Sequence, residues 1–211
     1  FYPNGKLFVE GYYYLGIEDS IFKAYYDNGN LAEKGNYAGI PDAFLEDTAN
    51  ADWAMKLDQF EAVKIGKWEY FFETGAKDMT GNFVDDLQDG EWSFWYPNGQ
   101  LYYGGNFING GKDGFWQFFY KTGETWKEGN YKINLREGEW TTWFENGQEA
   151  MKGSYLHDKE NGDWSAWFEN GTLKDKGAYD MAKMKGNWTG WYPNGKKRYE
   201  GPYTNDMRDG K

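Results

Sequence analysis

Seven glycines, Gly66, Gly90, Gly114, Gly138, Gly162, Gly186 and Gly210, recur at a constant spacing of 24 residues. Around the first six the chain spells one phrase: Gly-x-Trp-x-x-aromatic-aromatic-x-Asn/Thr-Gly, a second Gly six residues on, and Tyr or Phe two further. A short unit cannot bury its own apolar face, so a fixed period of this length means stacked copies of one supersecondary element sharing a continuous core. Such an array is a surface before it is a catalyst.

The unit 90–107 shows what the element is. An aromatic run (Trp92, Phe94, Trp95, Tyr96), a Pro97-Asn98-Gly99 turn signal, a second short run and a polar stretch read as a β-hairpin. The turn glycines are Gly5, Gly29, Gly75, Gly99, Gly123, Gly147, Gly171 and Gly195, six of them preceded by Asn and two by Thr74 and Thr122. Taking Asn-Gly as a two-residue loop with positive φ places Trp68 across from Gly81, Trp92 from Gly105, Trp116 from Gly129, Trp140 from Gly153, Trp164 from Gly177 and Trp188 from Gly201. A mid-strand glycine weakens a strand unless a bulky neighbour covers it, and this register supplies an indole each time. A bulge at the turn would slip the register and break the pairing. The six-residue linkers Val84–Asp89, Ile108–Asp113, Lys132–Glu137, Leu156–Asn161 and Asp180–Lys185 are polar and read as solvent loops.

The array begins before the regular glycines. Residues 1–13 are the second half of a unit, so a fragment or processed product is expected, with any targeting segment outside it. Ser20–Tyr37 is a degenerate unit in which Phe22 stands for Trp and Ser20 for Gly. The period then breaks at an insertion, Ala38–Ile65, in which Trp53, Leu57 and Phe60 fall at helical spacing; a short amphipathic helix over Asp47–Phe60 is expected, packing those three side chains on the sheet. The expected fold is all-β: about eight tandem 24-residue hairpins over residues 1–211, forming one elongated, twisted antiparallel sheet with one short inserted helix.

Side-chain alternation puts a second aromatic file, Phe71, Trp95, Phe119, Trp143, Trp167 and Trp191, on the face opposite the first, among small or polar neighbours such as Ser93, Thr141, Ser165 and Thr189. Trp95, Trp143, Trp167 and Trp191 are the candidate partner-binding residues. Alternatively they close the sheet by packing. Spaced two strands apart, about 10 Å, they suit an extended peptide or glycan.

These repeats resemble the variant class of the MORN family. The likeness rests on Tyr192-Pro-Asn-Gly-Lys-Lys-Arg-Tyr-Glu-Gly201-Pro-Tyr203, on Phe168-Glu-Asn-Gly171 through Gly177 and Tyr179, and on residues 1–13. The resemblance implies a ribbon of antiparallel hairpins, and through its bacterial antitoxin-like members it implies a toxin-neutralising function and a bacterial source.

Composition narrows the partners. The net charge of −11 excludes nucleic acid, whose phosphates demand clustered Lys and Arg, and gives no support to docking on anionic lipid. No run approaches the roughly 18 apolar residues of a membrane-spanning helix. With no Cys there is no disulfide framework or thiolate metal site, and neither a cofactor nor a metal is expected. The single His157 sits in a polar linker with no second imidazole or thiol, and the acidic stretch Asp85–Asp89 lacks the spacing of a calcium loop. The chain therefore reads as a non-enzymatic protein-interaction scaffold. The alternatives are a carbohydrate or cell-wall module, since choline- and glucan-binding repeats are also short aromatic hairpins, and an antitoxin-like protein whose acidity suits a basic toxin. Secretion or the cell envelope is expected over the cytoplasm.

Overall fold

In the computed structural model, residues 1–14, 17–39 and 62–209 are described. Among them run sixteen β-strands and no helix, and the strands follow one antiparallel sheet order identical to their chain order. The chain divides into two compact units, Phe1–Gly99 with Phe107–Gly110, and Gln100–Asn106 with Gly111–Lys211. The first holds β1 (Val9–Tyr14), β2 (Ile17–Tyr25), β3 (Leu31–Ala38), β4 (Val63–Phe71), β5 (Lys77–Val84), β6 (Leu87–Trp95) and the end of β7 (Leu101–Ile108). The second holds the rest of β7, then β8 (Gly111–Phe119), β9 (Thr125–Lys132), β10 (Leu135–Trp143), β11 (Glu149–Leu156), β12 (Lys159–Trp167), β13 (Leu173–Asp180), β14 (Lys183–Trp191), β15 (Lys197–Thr204) and β16 (Met207–Arg208).

Each hairpin is closed differently from the sequence expectation, yet the register agrees. At residues 144–148, Phe144 N donates to Gln148 O at 2.8 Å and Gly147 N to Phe144 O at 2.9 Å. This is a three-residue loop with only Gly147 at positive φ, 83°, the type I turn with a glycine bulge. Asn146 does not use positive φ. Its Oδ1 accepts from Gln148 N at 2.9 Å, and its Nδ2 donates to Glu169 O of the next repeat at 3.1 Å. The longer loop slips the register by one residue, and a second bulge between Thr142 and Trp143 slips it back. Trp140 therefore pairs with Gly153 as expected, as Trp68 does with Gly81, Trp116 with Gly129, Trp164 with Gly177 and Trp188 with Gly201.

The polar linkers are not loops. In each, two strands continue into a two-residue turn with both residues at positive φ: Asp85-Asp86, Asn109-Gly110, Ile133-Asn134, His157-Asp158 and Met181-Ala182, and Asn205-Asp206 makes the same turn between β15 and β16. These are the primed turns whose twist matches a hairpin. The periodic glycine has its own task, because Gly66, Gly90, Gly114, Gly138, Gly162 and Gly186 lie at φ between 62° and 81° inside strands. At Gly138 the pairing of β10 with β9 jumps from Glu137 to Trp140. Ser20, the substitute in the degenerate unit, adopts the same conformation at φ 65°.

The insertion is narrower than Ala38–Ile65, since Ala38 pairs with Val63, Tyr37 with Lys64 and Asn36 with Ile65 in an ordinary antiparallel ladder. The β3–β4 ladder thus runs out to Ala38 and Val63. The helix expected at Asp47–Phe60, with Trp53, Leu57 and Phe60, lies outside the described residues.

The core is built around indoles, with Phe22, Phe107 and Phe118 buried beside them. Trp68, Trp92, Trp116, Trp140, Trp164 and Trp188 are all buried. Each covers a glycine of the preceding repeat rather than its own hairpin's: a Cβ at Gly35, Gly81, Gly105, Gly129, Gly153 or Gly177 would stand 2.1–2.3 Å from Cδ2 of Trp68, Trp92, Trp116, Trp140, Trp164 or Trp188 respectively. Each indole N–H then donates to the carbonyl of the residue after that glycine, at 3.0–3.2 Å. One Trp–Gly pair therefore joins two repeats, which is why both residues recur with the period.

Candidate functional site

Two faces carry the side chains that are free to vary. On the first, the indoles alternate with Tyr or Phe in edge-to-face contact. In the second unit the ladder runs Trp116–Tyr131–Trp140–Tyr155–Trp164–Tyr179–Trp188, with ring centroids 4.9–6.3 Å apart. The first unit builds the same ladder from Phe22 through Tyr37, Trp68, Phe83 and Trp92 to Phe107. Edge-to-face pairs place the positive ring edge on the negative ring face. Burial raises the phenol pKa of Tyr131, Tyr155 and Tyr179 along this ladder.

Beside the indoles lie cross-strand pairs made of the residue two after each Trp and the residue two before the glycine which that Trp covers. In the first unit Phe94 faces Met79, and Tyr70 and Phe94 stack on Trp68 and Trp92 at 5.9 and 5.8 Å. In the second unit Phe118 stacks on Tyr103 at 5.5 Å. The later pairs are Thr142 with Lys127, Ala166 with Met151, and Gly190 with Asp175. As the large rings give way to Thr, Ala and Gly, the face hollows. A cavity of about 250 Å³ opens beside Ala166, walled by Trp164, Tyr179, Trp188 and Tyr199. Tyr199 crosses over Gly190 and donates its hydroxyl to Asp175 Oδ1 at 2.8 Å. Its pKa is raised, first by burial and then by that carboxylate.

In three repeats the chain lays its own cation on these rings. Lys64 Nζ is 4.2 Å from the Trp68 ring centroid and 5.2 Å from Tyr70. Lys112 Nζ lies 4.6 Å from Trp116, 5.5 Å from Phe118 and 5.4 Å from Tyr131. The Arg136 guanidinium is 3.8 Å from Tyr155. Burial lowers the pKa of Lys112 and of Lys127, whose ammonium sits 4.5 Å from Phe118.

The opposite face holds the expected file. Trp143, Trp167 and Trp191 occupy equivalent bulge positions, paired with Glu149, Leu173 and Lys197, and all three are half-buried. Their surroundings are polar: Glu124, Thr125 and Glu128 beside Trp143, and Asp163, Lys176 and Thr189 beside Trp191. In the first unit Trp95 is half-buried too, with Lys77 Nζ 5.6 Å from its ring. The Trp143 carbonyl accepts the Tyr120 hydroxyl at 2.8 Å, which fixes the strand end that carries the indole. Trp53, Leu57 and Phe60 lie outside the described residues, so no contact is assigned to them.

The turn edges are stitched between repeats. Asp86, Asn134, Asp158 and Asp206 each donate their backbone N–H to the carbonyl of Lys64, Lys112, Arg136 or Met184, while their side-chain oxygen accepts that residue's N–H. The acidic turns are thus structural. His157 lies in one of them at φ 50°, its N–H donating to Glu137 Oε2 at 2.9 Å. Among the described residues no helix is long and apolar enough to cross a membrane.

Asp175, Tyr199 and the paired columns were missed at the level of sequence. Their signal was available as the residue two before each covered glycine, read down the repeats. No curated protein matches the chain. The family comparison falls on the repeat itself: residues 1–13, 18–38, 88–109, 136–157 and 184–205 match the MORN repeat variant, so the hairpin with its covered glycine is similar to that repeat in five segments.

Proposed function

We propose that the array is a non-enzymatic scaffold that binds a protein partner through the face bearing Trp143, Trp167 and Trp191, with Trp95 the equivalent residue of the other unit. The observation that carries this reading is the repetition of a half-buried indole at one register position on alternate strands of a single unit. The backbone beneath is held by bulges and inter-repeat hydrogen bonds, so the indoles are presented without ordering cost. Tryptophan dominates interface hot spots because it removes large area from water with little rotamer entropy. The charge of −11 favours a basic partner and speeds encounter with it. A basic toxin neutralised by this protein is one such partner, its charge complementary to the acidic chain.

The rival reading is a glycan laid along the same indoles, whose spacing of two strands is about 10 Å. Affinity capture from the native source, run beside a glycan array, separates them. The expected result is a protein recovered by the parent chain and lost with Trp143→Ala/Trp167→Ala, and silence on the array. Saturable glycan binding that the double variant abolishes replaces the scaffold with a lectin-like module. A partner retained by the double variant moves the binding surface elsewhere.

A further inference from the structure

We infer that the cavity beside Ala166 is a receptor for a lysine or arginine side chain of a partner protein. This proposal concerns the indole-ladder face and does not rest on the Trp143 face.

One position changes its charge down the repeats. Lys64, Lys112 and Arg136 stand two residues before Gly66, Gly114 and Gly138, and each projects its cation over the ladder rings of its own repeat. At the corresponding place before Gly162 stands Glu160. The rings around Lys112 are Tyr103, Trp116, Phe118 and Tyr131; their counterparts 48 residues on are Met151, Trp164, Ala166 and Tyr179. In this repeat the chain has withdrawn its own cation and replaced two of the rings by the slimmer Met151 and Ala166, which leaves the cavity of about 250 Å³.

What lines that cavity is suited to the missing group. Trp164, Tyr179, Trp188 and Tyr199 offer aromatic faces, which attract an ammonium or guanidinium through the ring quadrupole. Asp175 lies in the wall, accepting one hydrogen bond from Tyr199. A carboxylate has about four acceptor sites, so capacity remains for a cationic donor. Glu160 adds a second negative charge whose field reaches the Tyr179 hydroxyl together with that of Asp175. At the corresponding wall position the Arg136 repeat has Met151 and the Lys112 repeat has Lys127; the Gln88 and Met184 repeats, which also lack a cation, have Tyr103 and Tyr199 there, so only the Glu160 repeat joins a missing cation to a wall carboxylate. Met151 and Met184 complete the wall and suit the methylene stem of such a side chain. Rings and charge together select a basic side chain over an apolar one, and a peptide over a polyanion or an anionic lipid surface.

The test uses the full chain and three short blocked peptides, identical except for a central arginine, lysine or norleucine. Binding is followed by NMR through the indole N–H signals of Trp164 and Trp188. The arginine and lysine peptides are expected to shift both signals saturably, and norleucine to bind at least about tenfold more weakly, near 1.4 kcal/mol. Asp175→Asn should weaken the cationic peptides by a similar factor, and Glu160→Lys should abolish their binding by supplying the internal occupant that Lys112 provides elsewhere. Because Lys is already accommodated at positions 64 and 112, the second variant is expected to keep the parent's melting temperature. Equal binding of norleucine would reduce the site to an apolar pocket and overturn the proposal. So would an unchanged affinity in Asp175→Asn, undiminished binding in Glu160→Lys, or unshifted indole signals with every peptide.

Discussion

Gly153→Ala is the smallest change that attacks the joint between two repeats. The new Cβ would stand 2.1, 2.3 and 2.6 Å from Cδ2, Cε2 and Cγ of Trp164, where carbon atoms rest at about 3.5–4.0 Å. The indole would have to retreat by more than about 1 Å, and three contacts resist that. Tyr155 and Tyr179 hold it edge-to-face at 5.1 and 6.0 Å, and its N–H donates to Ser154 O at 3.2 Å. Overpacking costs about 1–3 kcal/mol, the lost hydrogen bond about 0.5–1.5 kcal/mol, and alanine returns about 0.5–1 kcal/mol through its stiffer unfolded chain. The net destabilisation is about 2–3 kcal/mol, which lowers the melting temperature of a chain this long by roughly 4–12 °C. Hydrogen exchange should place the loss in β11, β12 and β13, because an array transmits strain to nearest neighbours. Gly162 is the control: its φ is +81°, and nothing lies within 4 Å of an added Cβ. There the cost is one of dihedral, about 1–2 kcal/mol for Ala and less for Asn, which tolerates the left-handed region. Asn should therefore be milder than Ala at 162 and harsher than Ala at 153. The same order at both sites, or a Gly153→Ala protein as stable as its parent, would refute the covering-indole account.

Two strained residues offer gains. Ser20→Gly and Ile133→Asn each place a tolerant residue at positive φ, 65° and 46°, and each should stabilise by about 1 kcal/mol, read as a higher denaturant midpoint. The buried phenols give a pH dependence. Burial raises the pKa of Tyr70, Tyr131, Tyr155, Tyr179 and Tyr199, so the fold keeps protons that the unfolded chain releases. Their contribution is complete below about pH 10 and is lost as pH rises through the folded values. Lys112 and Lys127 work the other way, since their lowered pKa means a penalty on the charged form that fades as pH rises toward about 10.4. Five groups oppose two, so the denaturant midpoint should fall above about pH 10, with phenolate absorbance appearing together with unfolding. A midpoint that holds or rises there would overturn the assignment.

The sheet was legible because glycine and tryptophan repeat at a fixed separation, and only a hairpin register explains both. Its turns were not legible. Asn-Gly is the strongest short signal for a primed two-residue turn, yet here asparagine serves as a side-chain cap that also bonds the next repeat, as Asn146 does through Gln148 and Glu169. Of the real primed turns only Asn109-Gly110 carries that signal; the others read Asp-Asp, Ile-Asn, His-Asp, Met-Ala and Asn-Asp, sequences that carry positive φ because the paired strands impose it. The register survived since the longer loop and the bulge at Trp143 cancel. Which repeat each indole covers also escaped the sequence: a tryptophan has a glycine on both neighbouring strands, and only the side-chain direction, fixed by the bond from Trp164 to Ser154 O, chooses the earlier one. The second tryptophan file was visible from alternation alone. The Asp175 cavity was hidden because its parts, Ala166, Asp175 and Tyr199, come from three strands, and only their pairing across the sheet brings them together.

Trp, Gly and the turn residues are committed to joining repeats, so difference between repeats is confined to a few columns, and Ala166 shows what that confinement allows. Ala166→Phe restores the ring that Phe118 supplies two repeats earlier, where the Phe118 and Trp116 centroids lie 6.3 Å apart. Filling the cavity removes a phenyl group from water, about 2–3 kcal/mol, against about 1 kcal/mol of side-chain and fitting cost. The variant should therefore be more stable than its parent by about 1–2 kcal/mol. It should also lose the arginine and lysine peptides, because the added ring occupies their space. Stability gained with binding lost is the signature of a cavity kept open for a ligand at the expense of the fold. A destabilised Ala166→Phe would show that the neighbouring rings have already closed around the methyl group. A stabilised variant that still binds the peptides would place the cationic site elsewhere on the ladder. Thermal melting and the indole signals of Trp164 and Trp188, measured on one sample, separate these outcomes.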